Sequence, residues 1–204
     1  MDSTTIQRVT IRQGNLAPPV VRTDAIQAFV TQETVILTLH CSDGIDATGY
    51  AYSIGTGGSS VVALLNDHLA PRLIGRDPAH VEAIWRDLFY ATHATAVGVI
   101  TSLSLCCIDT ALWDWRSRKY NLPLWVLLGG AQEKVKLYTT EGGWLQLSPE
   151  QLVDQALAAQ AQGFSGAKIK IGRPHVSEDV ARLQAVREAV GPGFELMTDA
   201  NQSF

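Results

Sequence analysis

Cysteine is scarce, and what there is does not pair by spacing. The residues are Cys41, Cys106 and Cys107, an odd set with no C-x-x-C, which argues against both a disulfide framework and a zinc site. Cys106 and Cys107 fall in an apolar, helical stretch and read as packing residues. A basic block is also missing: 16 Lys and Arg stand against 20 Asp and Glu, for a net charge of −4, so there is no nucleic-acid footprint. The N-terminus, Met1 to Thr10, has neither a charged n-region nor an apolar h-region and reads as lacking a secretory signal. No apolar run approaches the roughly 20 residues needed to span a bilayer. These absences exclude nucleic acid and membrane as partners and leave a small molecule or another subunit, in a reducing cytoplasm. The composition that remains is globular, 46% hydrophobic and 18% charged over 204 residues. That length suffices for one large domain, or for one complete domain and part of another.

Two textures succeed one another. Residues 6–13 and 35–41 cluster β-branched side chains as strands do, separated by a loop with two prolines. Ser42-Asp43-Gly44 signals a turn before a further strand, ATGYAYS, and the cluster GTGGSS at 55–60 reads as a mobile loop. Helical spacing follows over 60–70 and 78–90, the latter opened by Asp77-Pro78. The strongest helix covers 101–119, with Leu105, Ile108, Leu112 and Trp115 on one side, and Asn121-Leu122-Pro123 ends it. Strands followed by helices predict an α+β domain over 1–125. From 126 to 204 strands and helices alternate. Val135–Thr140 reads as a strand. A helix capped by Ser148, with Pro149 in its first turn and Gly163 as its stop, follows. Ser165–Ile171 is the next strand, Ser177 caps a helix ending near Gly191, and Phe194–Ala200 is the third strand. Repeated β-α-β with short loops implies a parallel sheet. Three strands do not by themselves separate a doubly wound sheet from the start of a (βα)8 barrel.

Chemistry concentrates at two strand ends. In Ala167-Lys168-Ile169-Lys170-Ile171-Gly172 the strand period puts Lys168 and Lys170 on one face and Ile169 and Ile171 on the other. Both faces of a parallel strand are normally covered by apolar residues, so two lysines on one face suit a site. Neighbouring ammonium groups and partial burial each disfavour the charged form and so favour a lysine base. On its own the hexapeptide reads more readily as a solvated strand with two surface lysines. One βα unit later, Asp199 and Asn201 close the third strand, at the carboxyl end where α/β sites are built. A carboxylate there suits a hard cation such as Mg²⁺, and an amide suits substrate oxygens; alone, the pair reads as a turn. The chemistry that wants these parts together is proton abstraction from a carbon next to a carboxylate, the anion held as an enediolate by a divalent cation.

With these residues in place the sequence resembles the mandelate racemase subgroup of the enolase superfamily. The resemblance runs through Ile108-Asp109-Thr110-Ala111-Leu112-Trp113-Asp114, Leu122-Pro123-Leu124, Leu127-Leu128-Gly129-Gly130, Lys168-Ile169-Lys170-Ile171-Gly172 and Asp199-Ala200-Asn201-Gln202. Within the subgroup, Tyr138 to Gly143, Gly172-Arg173-Pro174 and the helix Glu178–Glu188 look most like acid-sugar dehydratases of the talarate/galactarate type. The resemblance implies an α/β fold in which an α+β capping domain (1–125) precedes the first strands of a (βα)8-type TIM barrel (126–204). It implies Lys170 as the base, with Lys168 as a helper that tunes it, and Asp199 as the first of three carboxylate ligands to Mg²⁺. Asn201 and Thr140 would contact substrate, although an ordinary strand threonine is the bland reading of Thr140. The loops Asn15–Ile26 and Ala51–Ser60 would close over the barrel mouth. Arg22 and Tyr52 on them are candidates for reading substrate polarity, against a surface arginine and a packed tyrosine.

A whole barrel needs eight strands and about 250 residues. The resemblance implies two further metal carboxylates and an Asp/His pair, expected beyond Phe204, and the chain is expected to be the N-terminal part of a longer enzyme. His40, His68, His80, His93 and His175 read as solvated or packed. The expected activity is Mg²⁺-dependent dehydration of an acid sugar by a homo-oligomer. Racemisation of a 2-hydroxy acid is the alternative within enzymes, and a non-catalytic interaction domain the alternative outside them.

Overall fold

The computed structural model describes residues 3–96 and 98–204. The chain divides into two compact units, Met1–Ala17 with Thr31–Ala131, and Pro18–Val30 with Gln132–Phe204.

The first unit is built on an antiparallel sheet of β1 (Ile6–Leu16), β4 (Gln32–Cys41) and β5 (Asp46–Ser53), in the order β1-β4-β5. Alternation decides its inner face. Val35, Leu37, Leu39 and Cys41 of β4 are buried, as are Ala47 and Ala51 of β5. The small residues of β5 have a partner in α3 (Val99–Tyr120), which packs on that strand. A Cβ on Gly49 would lie 1.9 Å from the carbonyl oxygen of Cys107, so only glycine allows this approach. Leu105, Ile108, Leu112 and Trp115 of α3 are buried together, as the helical spacing predicts. Asn121, in the left-handed conformation at φ 49°, ends the helix.

Around this core the sequence expectations need correction at three places. Gly58, Ser59 and Ser60 are not loop but the start of α1 (Gly58–Leu64). That helix does not run on to residue 70; it widens into a π-helical turn at Leu65–Leu69 and tightens into a 3-10 turn at Ala70–Arg72, which contains Pro71. Cys106 is exposed and not a packing residue, whereas Cys107 beside it is buried, since adjacent residues on a helix face different ways. The remaining helices of this unit are α2 (Val81–Ala91) and the single turn α4 (Leu124–Leu127).

The second unit carries a parallel sheet of β6 (Tyr138–Thr139), β7 (Gly166–Lys170) and β8 (Glu195–Asp199), in the order β6-β7-β8. Helices α5 (Pro149–Ala161) and α6 (Val176–Val190) connect the strands. Leu152, Ala156, Ala159, Ala167, Ile169, Val186, Val190 and Phe194 form its core. A short hairpin, β2 (Arg22–Thr23) and β3 (Ala28–Phe29), belongs to this unit, its turn fixed by Asp24 Oδ1 accepting from the backbone N–H groups of Ile26 and Gln27. Ser177 does not cap α6: the helix has begun at Val176, and the capping residue is His175, whose N–H donates to Glu178 Oε2. Val135 to Leu137 alternate like a strand but pair with nothing in a ladder, so β6 is shorter than its sequence pattern. Among the described residues no helix is long and apolar enough to cross a membrane.

Candidate active site

Strand β7 aims Lys168 and Lys170 to one face, with Ile169 buried on the other. The parallel register sets Lys170 opposite Asp199, the last residue of β8. Both lysine Nζ atoms donate to the same oxygen, Asp199 Oδ2, each at 2.8 Å. Lys170 is 6% exposed, and its Nζ also donates to Asn201 Oδ1. The lysines therefore do not meet as bare like charges; one carboxylate lies between them.

Asp199 has a second oxygen, Oδ1, which accepts the Asn201 N–H at 3.0 Å. The hydrogen bonds from Lys168 and then Lys170, with that backbone N–H, hold its carboxyl well below the usual carboxylate range. Asn201 reaches the site by a different route from strand alternation. It lies beyond β8 in a left-handed conformation at φ 49°. The turn reading and the site reading of the Asp199/Asn201 pair thus describe the same geometry.

Behind the lysines is a buried network that sequence reasoning missed. Arg182, 3% exposed, donates through Nη1 to the carbonyl of Lys170 at 2.9 Å and to Asp179 Oδ1 at 3.1 Å. Asp179 Oδ2 accepts the N–H groups of Gly172 and Arg173, at 2.8 and 3.0 Å, and so fixes the turn that follows β7. A buried pair of this kind holds geometry rather than adding stability, since desolvation offsets its attraction. Its readable signal was a charged pair in the stripe Asp179, Arg182, Val186 and Val190, spaced as one helix face.

The segment after β6 completes the surroundings. The Gly143 carbonyl accepts the N–H of Lys170 at 2.7 Å, and a Cβ there would come within 2.0 Å of the Lys168 carbonyl oxygen, so glycine is required. Trp144 places its ring centroid 5.6 Å from Lys170 Nζ and 5.8 Å from Arg22 Cζ. Glu141 accepts the indole N–H at 3.2 Å and pairs with Arg22 at 2.8 Å. Trp144 did not stand out in the sequence, and Glu141 did so only as part of the run Tyr138 to Gly143; what marks both is contact with a hairpin more than a hundred positions earlier.

The structure thus brings Lys168, Lys170, Asp199 and Asn201 together and sets Arg22 beside the Trp144 ring that Lys170 also faces. Thr140 is exposed, one residue past β6; it is Thr139 whose hydroxyl accepts the Glu141 N–H. Tyr52 belongs to the other unit, where it is 53% exposed on β5 rather than packed. As to a metal, an ionised carboxylate at a strand end is a suitable oxygen donor for a hard cation. Among the described residues, however, no group of three or more His, Cys, Asp or Glu could hold one. The residues fit one corner of such a site.

A β-α-β-α-β unit with lysines and a carboxylate at the carboxyl ends of adjacent parallel strands is the construction of (βα)-barrel sites. The chain belongs to the mandelate racemase/muconate lactonizing enzyme family: residues 6–129 match its N-terminal domain and residues 151–204 the enolase C-terminal domain-like family. Among curated relatives it is 35% identical over 170 residues to the L-talarate/galactarate dehydratase of Salmonella typhimurium, covering 83% of this chain and 42% of the relative. To the 3,6-anhydro-alpha-L-galactonate cycloisomerase of Streptomyces coelicolor it is 34% identical, covering 98% of this chain and 55% of the relative. The crystal structure of the Salmonella dehydratase liganded with Mg and L-lyxarohydroxamate superposes with a TM-score of 0.93 at 31% identity, covering all of this chain (100%) and 53% of that one. A racemase from Streptomyces coelicolor with bound magnesium gives 0.93 at 33% identity, covering 98% and 56%. The chain spans about half the length of the curated relatives it matches.

Proposed function

We propose that the protein carrying this chain removes the proton next to the carboxylate of an acid sugar and eliminates water. The observation that carries the reading is the pair of lysine Nζ atoms sharing Asp199 at the carboxyl ends of β7 and β8. Lys170 is the base. Its position, mostly buried and held at its backbone by Arg182 and Gly143, is that of a group kept in one orientation. Lys168, the more exposed of the two, faces the substrate carboxylate and shares Asp199 with Lys170. Asn201 and Thr140 contact substrate oxygens, with Arg22 reading polarity further out.

Acting as the neutral amine, Lys170 takes the proton at Nζ, and the electron pair of the broken C–H bond moves onto the carboxylate as an enediolate. Its return expels hydroxide from the adjacent carbon, leaving an enol that ketonises, for a net loss of one water. Asp199 would be the chain's ligand to Mg²⁺, which when bound stabilises the charge that develops on the deprotonated substrate. Support for the metal comes from the solved relatives liganded with Mg, and support for acid sugars from the dehydratases among the relatives. An L-Ala-D/L-Glu epimerase, 29% identical over 203 residues, favours a second reading in which the same base acts and the proton returns to the opposite face.

The test is incubation of the full-length protein in D₂O with a panel of acid sugars. Loss of water to a keto-deoxy product supports dehydration; deuterium exchange with inversion and no elimination replaces it with racemisation. Lys170→Ala is expected to lower turnover by about 10²–10⁴-fold, the usual contribution of a positioned base. Unchanged turnover in that variant would mean that another group takes the proton.

A further inference from the structure

We infer that Trp144 is the positioning residue of Lys170, and that through its indole ring the Pro18–Val30 segment sets where the lysine Nζ stands. The inference rests on the reading of Lys170 as the base. A lysine is a poor rigid element, with four flexible carbons between backbone and amine. Asp199 and Asn201 draw its Nζ in one direction; the Trp144 ring gives it a second boundary, 5.6 Å from the centroid. That is inside the roughly 6 Å at which an indole face attracts a cation.

The ring is itself held by residues of the distant hairpin. Arg22 Cζ lies 5.8 Å from the same centroid, and the edge of Phe29 meets the ring at 5.5 Å and 63°. Glu141 closes the arrangement, one oxygen accepting from Trp144 Nε1 at 3.2 Å and the other pairing with Arg22 at 2.8 Å. The backbone on either side is fixed as well. Arg182 Nη2 donates to the Trp144 carbonyl at 3.2 Å while Nη1 of the same guanidinium holds the Lys170 carbonyl at 2.9 Å. Leu145 N–H donates to the Thr23 carbonyl at 3.0 Å, and Gln146 accepts from the Thr23 hydroxyl at 2.6 Å. The ring is half-buried, with two cations beside it and an acceptor on its N–H. Its removal leaves the substrate-facing groups in place and frees the lysine to swing, a loss that falls on the chemical step and not on binding.

The experiment compares Trp144→Leu and Trp144→Phe in the full-length protein on its best acid-sugar substrate. Trp144→Leu should lower kcat by about 10–100-fold with KM within about threefold, and Trp144→Phe, which keeps an aromatic face, should recover most of that loss. A second readout does not need activity. The emission of Trp144, taken as the difference between wild-type and Trp144→Phe spectra, should change when Lys170→Met or Arg22→Met removes a cation beside the indole. A kcat for Trp144→Leu within twofold of wild type overturns the inference, and so does a difference spectrum indifferent to both cations. If Trp144→Leu does not fold, the emission readout and the Trp144→Phe kinetics decide. Full activity in Lys170→Ala would overturn the base assignment itself. An inactive Lys170→Ala beside a normal Trp144→Leu would overturn only the positioning role.

Discussion

Cys106 and Cys107 are neighbours in sequence and opposites in environment. Cys106 is exposed on α3, while Cys107, at 0% exposure, and Cys41, at 5%, lie in the core of the first unit. Burial raises the Cys107 thiol from its ordinary 9.0 to about 12, and burial, aided by the charge of Asp43, raises Cys41 to about 11. The sign of the consequence follows from proton counts. Above pH 9 the unfolded chain has released protons that the folded chain still holds, so stability falls as pH rises. The loss begins near the unfolded value of 9.0 and is complete near 11 for Cys41 and 12 for Cys107. Each thiol contributes a slope of at most about 1.4 kcal/mol per pH unit in its window. Urea unfolding from about pH 8 to pH 11 checks it. The double variant Cys41→Ala/Cys107→Ala, although less stable throughout, should show the shallower decline; parallel slopes would mean that the thiols are not responsible.

At the scale of elements, a helix whose ends are chemically explicit can be separated from one whose ends are not. Ser148 Oγ accepts the Gln151 N–H at 3.3 Å while Gln151 Oε1 accepts the Ser148 N–H at 2.9 Å, a closed capping box ahead of Pro149. Ser148→Ala should therefore cost about 1 kcal/mol, within a range of about 0.5–2, read as a lower midpoint in urea with an unchanged m-value. A cost near zero would mean that α5 is held by its packing alone. The same three-residue rule explains why Ser177 misled. Three positions after Ser177 is Val180, which accepts nothing, whereas three after His175 is Glu178, which takes the His175 N–H. The start of α6 was legible from the acceptor and not from the serine. β6 and the π-helical turn were not legible locally. Alternation over Val135–Leu137 has no ladder partner to satisfy it, and the widening at Leu65–Leu69 leaves no mark in the helical spacing of 60–70. The lysine pair and Asp199 were legible because strand period and parallel register fix them; Trp144 was not, because tertiary contacts define its role, and Arg182 left only the trace of a charged pair in an otherwise apolar helix stripe.

For the whole molecule, sequence order and spatial order part company at one segment. Pro18–Val30 lies within the run of the first sheet yet belongs to the second unit, where Thr23 hydrogen-bonds Gln146 across 123 positions. Strand and helix texture cannot show this, since a two-residue hairpin strand has no period to read. The scale of the molecule also limits what a metal can do to it. At the strand ends the described residues offer one carboxylate, Asp199, with both lysines already on its Oδ2, and no group of three or more His, Cys, Asp or Glu that could hold a metal. A cation that binds the folded state stabilises it by RT ln(1 + [L]/Kd), and a single carboxylate holds Mg²⁺ so weakly that about 10 mM adds roughly 0.1 kcal/mol or less. The 204-residue chain by itself should then unfold at the same temperature with Mg²⁺ and with EDTA. Full-length protein, if it completes the carboxylate set, should gain several degrees, and Asp199→Asn should erase that gain while leaving the chain's indifference unchanged. A clear Mg²⁺-dependent rise in the melting temperature of the 204-residue chain would instead place a fuller oxygen site within these residues, and Asp199→Asn would then tell whether β8 is part of it.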